Sequence, residues 1–469
     1  MQAPWLEIDA LQEAFALSVL HGSNNGRERI MDDTGAGEHS HGLLMLAASA
    51  LIAGTACGLI GTLFRFSLER ADRVRNVFIG WAHTEHLVGF IGVLLATSAA
   101  IAFAANLVKR RAPHAIGSGI PHVEAVVSGD LPPAPLALVP VKFVGGVLAI
   151  GAGLALGREG PTVQMASTIA NWIGTLLRRN ADDCRILIAA GAGAGLATAF
   201  NAPIAGAVFV LEELLRRFDM RTAVAALGAS AGAIAVARLM HGDAPDFQFG
   251  VPPHPGFGTV PVYLLLGAVT GLLGAAYCRA ILWALAIADW LSHWPVYVRG
   301  ALIGAAAGVL AWSAPDLAGG GDPLTQRALL GAGELSGVAV AFVIRFGFGA
   351  LSYAAGTPGG LFAPMLVLGA QAGLIFGRIG FLWFPGFAAN PGAFAAVGMT
   401  AFFAAVVRAP VTGIVLVTEM TGGFTLLLPM LTACFTAMVV PVMLHCPPIY
   451  DSLGERLPHK ASQVVRPAH

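Results

Sequence analysis

Charge is what this sequence has least of. Only 12% of its 469 residues are Asp, Glu, Lys or Arg, against roughly 25% in an ordinary soluble domain, which excludes a water-soluble fold with a normal surface. The charges that do occur balance, 27 basic against 27 acidic, so no excess of one sign points to nucleic acid or to an acidic partner. Cysteine is sparse too. Cys57, Cys184, Cys278, Cys434 and Cys446 stand in no CxxC or metal-ligand spacing; neither a disulfide framework nor a metal site is suggested, and they read as small core residues. The first forty or so residues lack the basic start, apolar core and cleavage site of a signal peptide.

What fills the chain is apolar: 56% of residues are hydrophobic. Residues Leu43 to Leu63, Leu87 to Ala105, Val260 to Cys278 and Leu426 to Leu444 are the clearest runs. Each approaches the roughly 20 helical residues that cross a hydrocarbon core of about 30 Å. Backbone groups in lipid must be satisfied within their own segment, so the expected class is an all-α polytopic membrane protein. Basic clusters at Lys109-Arg110-Arg111, Arg178-Arg179 and Arg216-Arg217 follow apolar runs and read as cytoplasmic ends by the positive-inside tendency. The expected organisation is a polar cytoplasmic segment at 1–42, a membrane domain at 43–459 and a short tail at 460–469, with no room for a further folded domain at either end.

The membrane region repeats itself. "VKFVGG" at 141–146 matches "IRFGFG" at 344–349, setting Lys142 over Arg345 at a separation of 203 (345 minus 142). At the same separation "GREGP" at 157–161 falls on "GLFAP" at 360–364, with the prolines aligned and Glu159 over Phe362. Farther on, "FNAPIAGAVFVLEE" at 200–213 matches "VRAPVTGIVLVTEM" at 407–420, the separation now 207 (410 minus 203). Ordered matches of this kind mark a duplication, with halves at about 43–240 and 258–459.

Both "GREGP" and "GLFAP" place a proline after a glycine-containing break, where proline suits the first turn of a new helix. A helix start offers unpaired N–H groups and the positive end of a dipole, so two facing starts at mid-membrane make an anion site. "GSGIP" at 117–121 is a third such break, with the Ser118 hydroxyl added. An anion held by amides and hydroxyls alone is bound weakly enough to leave again, as conduction requires. Glu159 at one of these starts is itself an anion. It can occupy the site when ionised and leave it when protonated, as gate and proton carrier at once; the alternative is a structural pairing with Arg158 or Lys142. For Glu212-Glu213 the alternatives are a proton relay opposite Glu159, or a solvated pair balanced by Arg216 and Arg217.

In that order and spacing, "GSGIPHVEAV", "GREGPTVQ", "FNAPIAGAVFVLEE" and "GGLFAP" resemble the CLC family of chloride channels and chloride/proton exchangers, over about residues 43–459. The resemblance implies a CLC fold of two inverted halves with broken, tilted helices, a homodimer with one pathway per subunit, and residence in a bacterial inner membrane. It implies that Ser118 and Tyr450 offer hydroxyls to chloride, that the amides of Gly160, Leu361 and Phe362 face it, that Glu159 is the external gating glutamate and that Glu213 is the internal proton glutamate. Tyr450, in "PPIYDSL", is matched mainly by its place after the last apolar run. Chloride and protons are the expected cargo, with no cofactor, no metal and no nucleic acid, and with lipid as surroundings. His122 departs from the pattern, following "GSGIP" where many members carry an acid; it reads as a satisfied histidine at a helix start or as a group titrating near neutral pH. Serine at 118 favours chloride over the nitrate that accompanies proline there. The paired regulatory domains of eukaryotic relatives have no counterpart in this sequence.

Three other readings compete. A passive voltage- or pH-gated chloride channel shares the fold, and the presence of both Glu159 and Glu213 favours exchange. "GASAG" at 228–232 fits the G-x-S-x-G of a serine nucleophile, Ser230, but lies in a run of small residues suited to helix packing. "GAGAG" at 191–195 lacks the Lys-Ser/Thr of a phosphate loop. The expected protein is therefore a transporter and not an enzyme.

Overall fold

A computed structural model describes residues 33–250, 256–383 and 390–457. The chain divides into two units, Met1–Leu46 and Ala47–His469, and the architecture below is that of the second. The polar stretch expected at 1–42 falls mostly, and the tail at 460–469 wholly, outside the described residues.

Seventeen α-helices account for most of the described residues. The first half contains α1 (Asp33–Thr84), α2 (His86–Arg111), α3 (Ile120–Ser128), α4 (Leu138–Gly151), α5 (Glu159–Leu176), α6 (Ala181–Phe200), α7 (Pro203–Phe209) and α8 (Met220–His241). The second contains α9 (Val260–Trp290), α10 (Val296–Ser313), α11 (Asp322–Leu329), α12 (Leu335–Tyr353), α13 (Phe362–Trp383), α14 (Pro391–Val407), α15 (Pro410–Thr421), α16 (Leu427–Met443) and α17 (Ile449–Gly454). Eight helices among the described residues are long and apolar enough to cross a bilayer, so the chain is a multi-pass membrane protein. Three of the four spans expected from sequence lie within these eight; the fourth is α16, a shorter apolar helix of 17 residues.

Lipid supplies no contrast between apolar side chains, so helices here associate through close backbone approach at small residues. A Cβ on Gly54 would lie 2.0 Å from the Ala229 carbonyl oxygen, and one on Gly58 would lie 2.4 Å from that of Ala233. "GASAG" is thus the face on which α8 meets α1, and Ser230 is buried inside α8 and not on a strand-to-helix turn. In "GAGAG" the glycines let α6 touch α5 and α7: a Cβ on Gly195 would lie 2.7 Å from the Thr162 oxygen, and one on Gly193 would lie 2.5 Å from that of Gly206.

The repeat seen in the sequence recurs in the backbone. α6 and α14, buried along nearly their whole length, end in left-handed residues, Asn201 (φ 49°) and Arg408 (φ 73°). Each is followed by a proline-led helix, α7 or α15. Lys142 and Arg345, aligned in the sequence, both turn inward and donate to three backbone carbonyls. Lys142 Nζ reaches Ala115, Gly117 and Ser118 at 3.1, 2.9 and 3.2 Å; the Arg345 guanidinium reaches Leu317, Gly319 and Gly320 at 3.0, 2.6 and 2.9 Å. A buried cation needs this many acceptors to offset its lost hydration.

Candidate functional site

Two helix starts meet at the centre. Gly157 and Gly360 exchange both backbone hydrogen bonds, at 2.9 and 2.7 Å, which clamps the break before α5 to the break before α13. Glu159 is the first residue of α5, wholly buried. Its Oε1 accepts from the Phe362 amide of α13 at 2.7 Å, while Oε2 has no hydrogen-bond partner. The carboxylate lies in a slot that only glycine permits: a Cβ on Gly157 would be 2.1 Å from Oε2, and one on Gly360 would be 2.2 Å from Oε1. A carboxylate therefore occupies the place where first-turn amides and the positive end of a helix dipole converge.

The third break joins them. Gly119 (φ 85°) caps α3, and the Ser118 loop before it presses on α5, since a Cβ on Gly160 would lie 2.6 Å from Ser118 Oγ. Ser118 N donates to the Tyr353 hydroxyl at 3.3 Å, and Gly117 N donates to Thr357 O at 3.0 Å. On the other side the Phe362 ring stacks on Tyr450, centroids 6.0 Å apart, and packs edge-on against Phe403 at 4.7 Å. The hydroxyls of Ser118 and Tyr450 are both buried and without a hydrogen-bond partner. Unmade hydrogen bonds are costly inside a protein. Here they collect beside Glu159 and the start of α13, with Leu361 buried at its edge. Such an arrangement can hold a small anion between hydroxyls and amides, with no full positive charge in contact.

The structure corrects the pairing considered for Glu159. Lys142 is engaged by its three carbonyls. Arg158 donates to Ala199 O at 2.8 Å and pairs with Asp246 and Asp322, both at 3.3 Å. The two glutamates after α7 also part company. A π turn at Val210–Leu214 carries both. Glu213 is buried with Oε1 unpartnered, whereas Glu212 accepts from the first amides of α15. Arg216 and Arg217 pair elsewhere, with Glu124 and Asp451 and with Asp219 respectively, so the solvated pair considered from sequence does not form. His122 is buried in the first turn of α3 beside the His114 ring, centroids 5.0 Å apart.

Comparison with known proteins follows the same lines. A model of the voltage gated chloride channel family matches residues 98–441. The chain belongs to that family. It is 38% identical over 419 residues to the H(+)/Cl(−) exchange transporter ClcA of Vibrio cholerae serotype O1, covering 87% of this chain and 88% of that protein. It is 35% identical to ClcA of Citrobacter koseri, covering 88% and 89%. Among solved structures it resembles a slow cyanobacterial Cl−/H+ antiporter, with a TM-score of 0.84 and 32% identity over 88% of this chain and 97% of that one. A CLC-type fluoride/proton antiporter shares the fold, with a TM-score of 0.70 and 21% identity over 85% and 95%.

The sequence reading missed one break of this CLC fold. "GGGDP" at 319–323 is the second-half counterpart of "GSGIP": Gly321 (φ 94°) caps α11 as Gly119 caps α3, and Arg345 holds its carbonyls as Lys142 holds those of the first loop. Carrying the Lys142–Arg345 offset upstream with a one-residue slip (321 minus 119 is 202) would have found it. Tyr353 was missed as well, and nothing in the local sequence marks it.

Proposed function

We propose that this chain is a chloride/proton antiporter of the bacterial cell membrane, moving chloride and protons through a pathway contained in each subunit of a homodimer. The observation that carries the reading is the buried Glu159 carboxylate, one oxygen on the Phe362 amide and the other free, lying where an anion would sit. In this reading Glu159 as an anion blocks the path. Taking up a proton cancels its charge, weakens its hold on the amides of α13 and lets chloride replace it, so that the two ions move in opposite senses.

Ser118 and Tyr450 bound the central chloride with their free hydroxyls, and the amides of Gly160, Leu361 and Phe362 line its far side. Glu213, buried with its Oε1 unpartnered, passes protons toward Glu159. The exchange activity named for the ClcA relatives supports the reading.

The test is proton movement into liposomes holding the purified protein, driven by a chloride gradient with voltage clamped. Uphill proton movement is expected. Glu159→Gln should abolish it while chloride still flows, and Glu213→Gln should suppress it likewise. Chloride flux without protons in the unaltered protein would make it a passive channel, and retained pumping in the Glu159 variant would remove that residue from the role.

A further inference from the structure

After the π turn the chain reverses at Arg216, which holds a left-handed conformation (φ 50°). A left-handed residue commonly ends a helix, as Asn201 and Arg408 do, and the side chain of Arg216 makes ionic contacts. One terminal nitrogen of Arg216 lies 3.2 Å from Glu124 Oε1 and 2.7 Å from Asp451 Oδ1. Glu124 belongs to α3, whose start carries the Ser118 loop; Asp451 follows Tyr450 in α17. A single cation, three residues beyond Glu213, thus spans the two elements that supply both free hydroxyls of the anion site.

We infer that Arg216 is an ionic latch over the inner end of the anion path. Paired with Glu124 and Asp451, it holds α3 and α17 together so that Ser118 and Tyr450 close on the anion; its release lets α17 part from α3 and admits chloride. This rests on the antiporter reading, in which those two hydroxyls bound the central site. α17 has only six residues, seated in the core by Ile449, Tyr450 and Leu453, with Asp451 on its outer side facing Arg216. It is also fastened behind, by Arg408 to Cys446 O at 2.9 Å and by Arg456 to Asp289, so loss of the latch frees one side and leaves the helix attached.

Exposure suits a latch that must open in each cycle. The Arg216 and Asp451 side chains are 53% and 38% exposed, so water and salt compete for them and the pair is weak enough to break reversibly. Arg216 is a positioning residue in this account and touches no transported ion.

The test uses the full chain in liposomes, measuring chloride efflux and protons moved per chloride for R216Q, D451N and the double variant. Each single change is expected to raise chloride turnover by about threefold, the size appropriate to an exposed ion pair, and to lower protons per chloride. The double variant should go no further than either single. Unchanged turnover and coupling in both singles, or effects that simply add, overturn the latch. A second measurement guards against misfolding: R216K, which keeps the cation, should hold chloride turnover and protons per chloride near those of the unaltered protein. R216K indistinguishable from R216Q overturns the proposal. If the unaltered protein moves chloride with no protons, the antiporter reading falls, while the chloride rates still decide the latch.

Discussion

Glu212 and Glu419 occupy matching positions in the two halves, and each closes the first turn of the other half's helix. α7 and α15 both begin with proline, so the next two amides of each are donors with no partner inside the helix. Glu212 accepts from Val411 N at 3.0 Å, Thr412 N at 2.6 Å and Thr412 Oγ1 at 2.7 Å. Glu419 accepts from Ile204 N at 3.1 Å and Ala205 N at 2.8 Å. Hydrogen bonds to a charged group contribute about 1.5–3 kcal/mol each, and capping losses run at about 0.5–2 kcal/mol where water can replace the acceptor. Val411 and Ile204 lie on the outer surface of the helices, while Thr412 and Ala205 are buried. Glu212→Ala should therefore cost about 2–4 kcal/mol and Glu419→Ala about 1–3 kcal/mol. Thermal unfolding of the purified protein in detergent should show both losses, the larger at Glu212. Because these carboxylates are spent on helix ends, Glu212→Gln should lower the midpoint and leave protons per chloride unchanged. A Glu212→Gln protein of normal stability with lost coupling would refute the reasoning and move the proton role from Glu213 to its neighbour.

That pair also shows where sequence reading stops. Three of the four breaks are legible, because glycine before proline in an apolar run leaves the backbone little choice, and the repeat sets "GREGP" opposite "GLFAP". The Gly157–Gly360 clamp between them is what that alignment becomes in space. The roles of Glu212 and Glu213 were not legible. Adjacent residues on a helix point about 100° apart, and a π turn changes that angle; which acid meets α15 and which is buried depends on a distortion no local pattern announces. The fate of Lys142 was hidden for a related reason. A cation in the helix just before a buried carboxylate suggests a pair, but three carbonyls gathered by a curled loop outcompete a single acid that the Phe362 amide already holds. "GGGDP" escaped because it carries no hydroxyl or basic marker and reads as an ordinary glycine-rich turn. Only the partner of Lys142 in the other half, Arg345, gives it a role.

Gly360→Ala should unseat the gate. Its Cβ would fall 2.2 Å from Glu159 Oε1 and 2.8 Å from Gly160 N, closer than real Cβ contacts come, so chloride flux should persist while coupled proton movement drops in the liposome assay; normal coupling would mean the carboxylate does not rest in that slot. Lys142→Met probes the anion site from behind. Gly117 (φ 63°) and Gly119 (φ 85°) curl the loop so that the Ala115, Gly117 and Ser118 carbonyls face the ammonium. Gathering the carbonyls on one side also fixes where Ser118 presents its hydroxyl on the other. Methionine fills the volume without a donor, leaving the Ala115 and Ser118 carbonyls unpaired at about 1–3 kcal/mol each, while Gly117 O keeps its bond from Gly359 N at 3.1 Å; the loop reduces that cost by uncurling and carrying Ser118 away from Gly160. A misplacement that costs chloride about 1.4 kcal/mol appears as tenfold weaker binding, readable by calorimetric titration of the purified protein with chloride. Arg345→Met uncurls the opposite loop, which brings no hydroxyl to the site, and should lower stability with little change in chloride affinity. Equal losses of affinity in the two variants would mean that the cations act by holding the fold as a whole. Unchanged affinity in Lys142→Met would mean that Ser118 is not held in place from behind, or does not hold the anion.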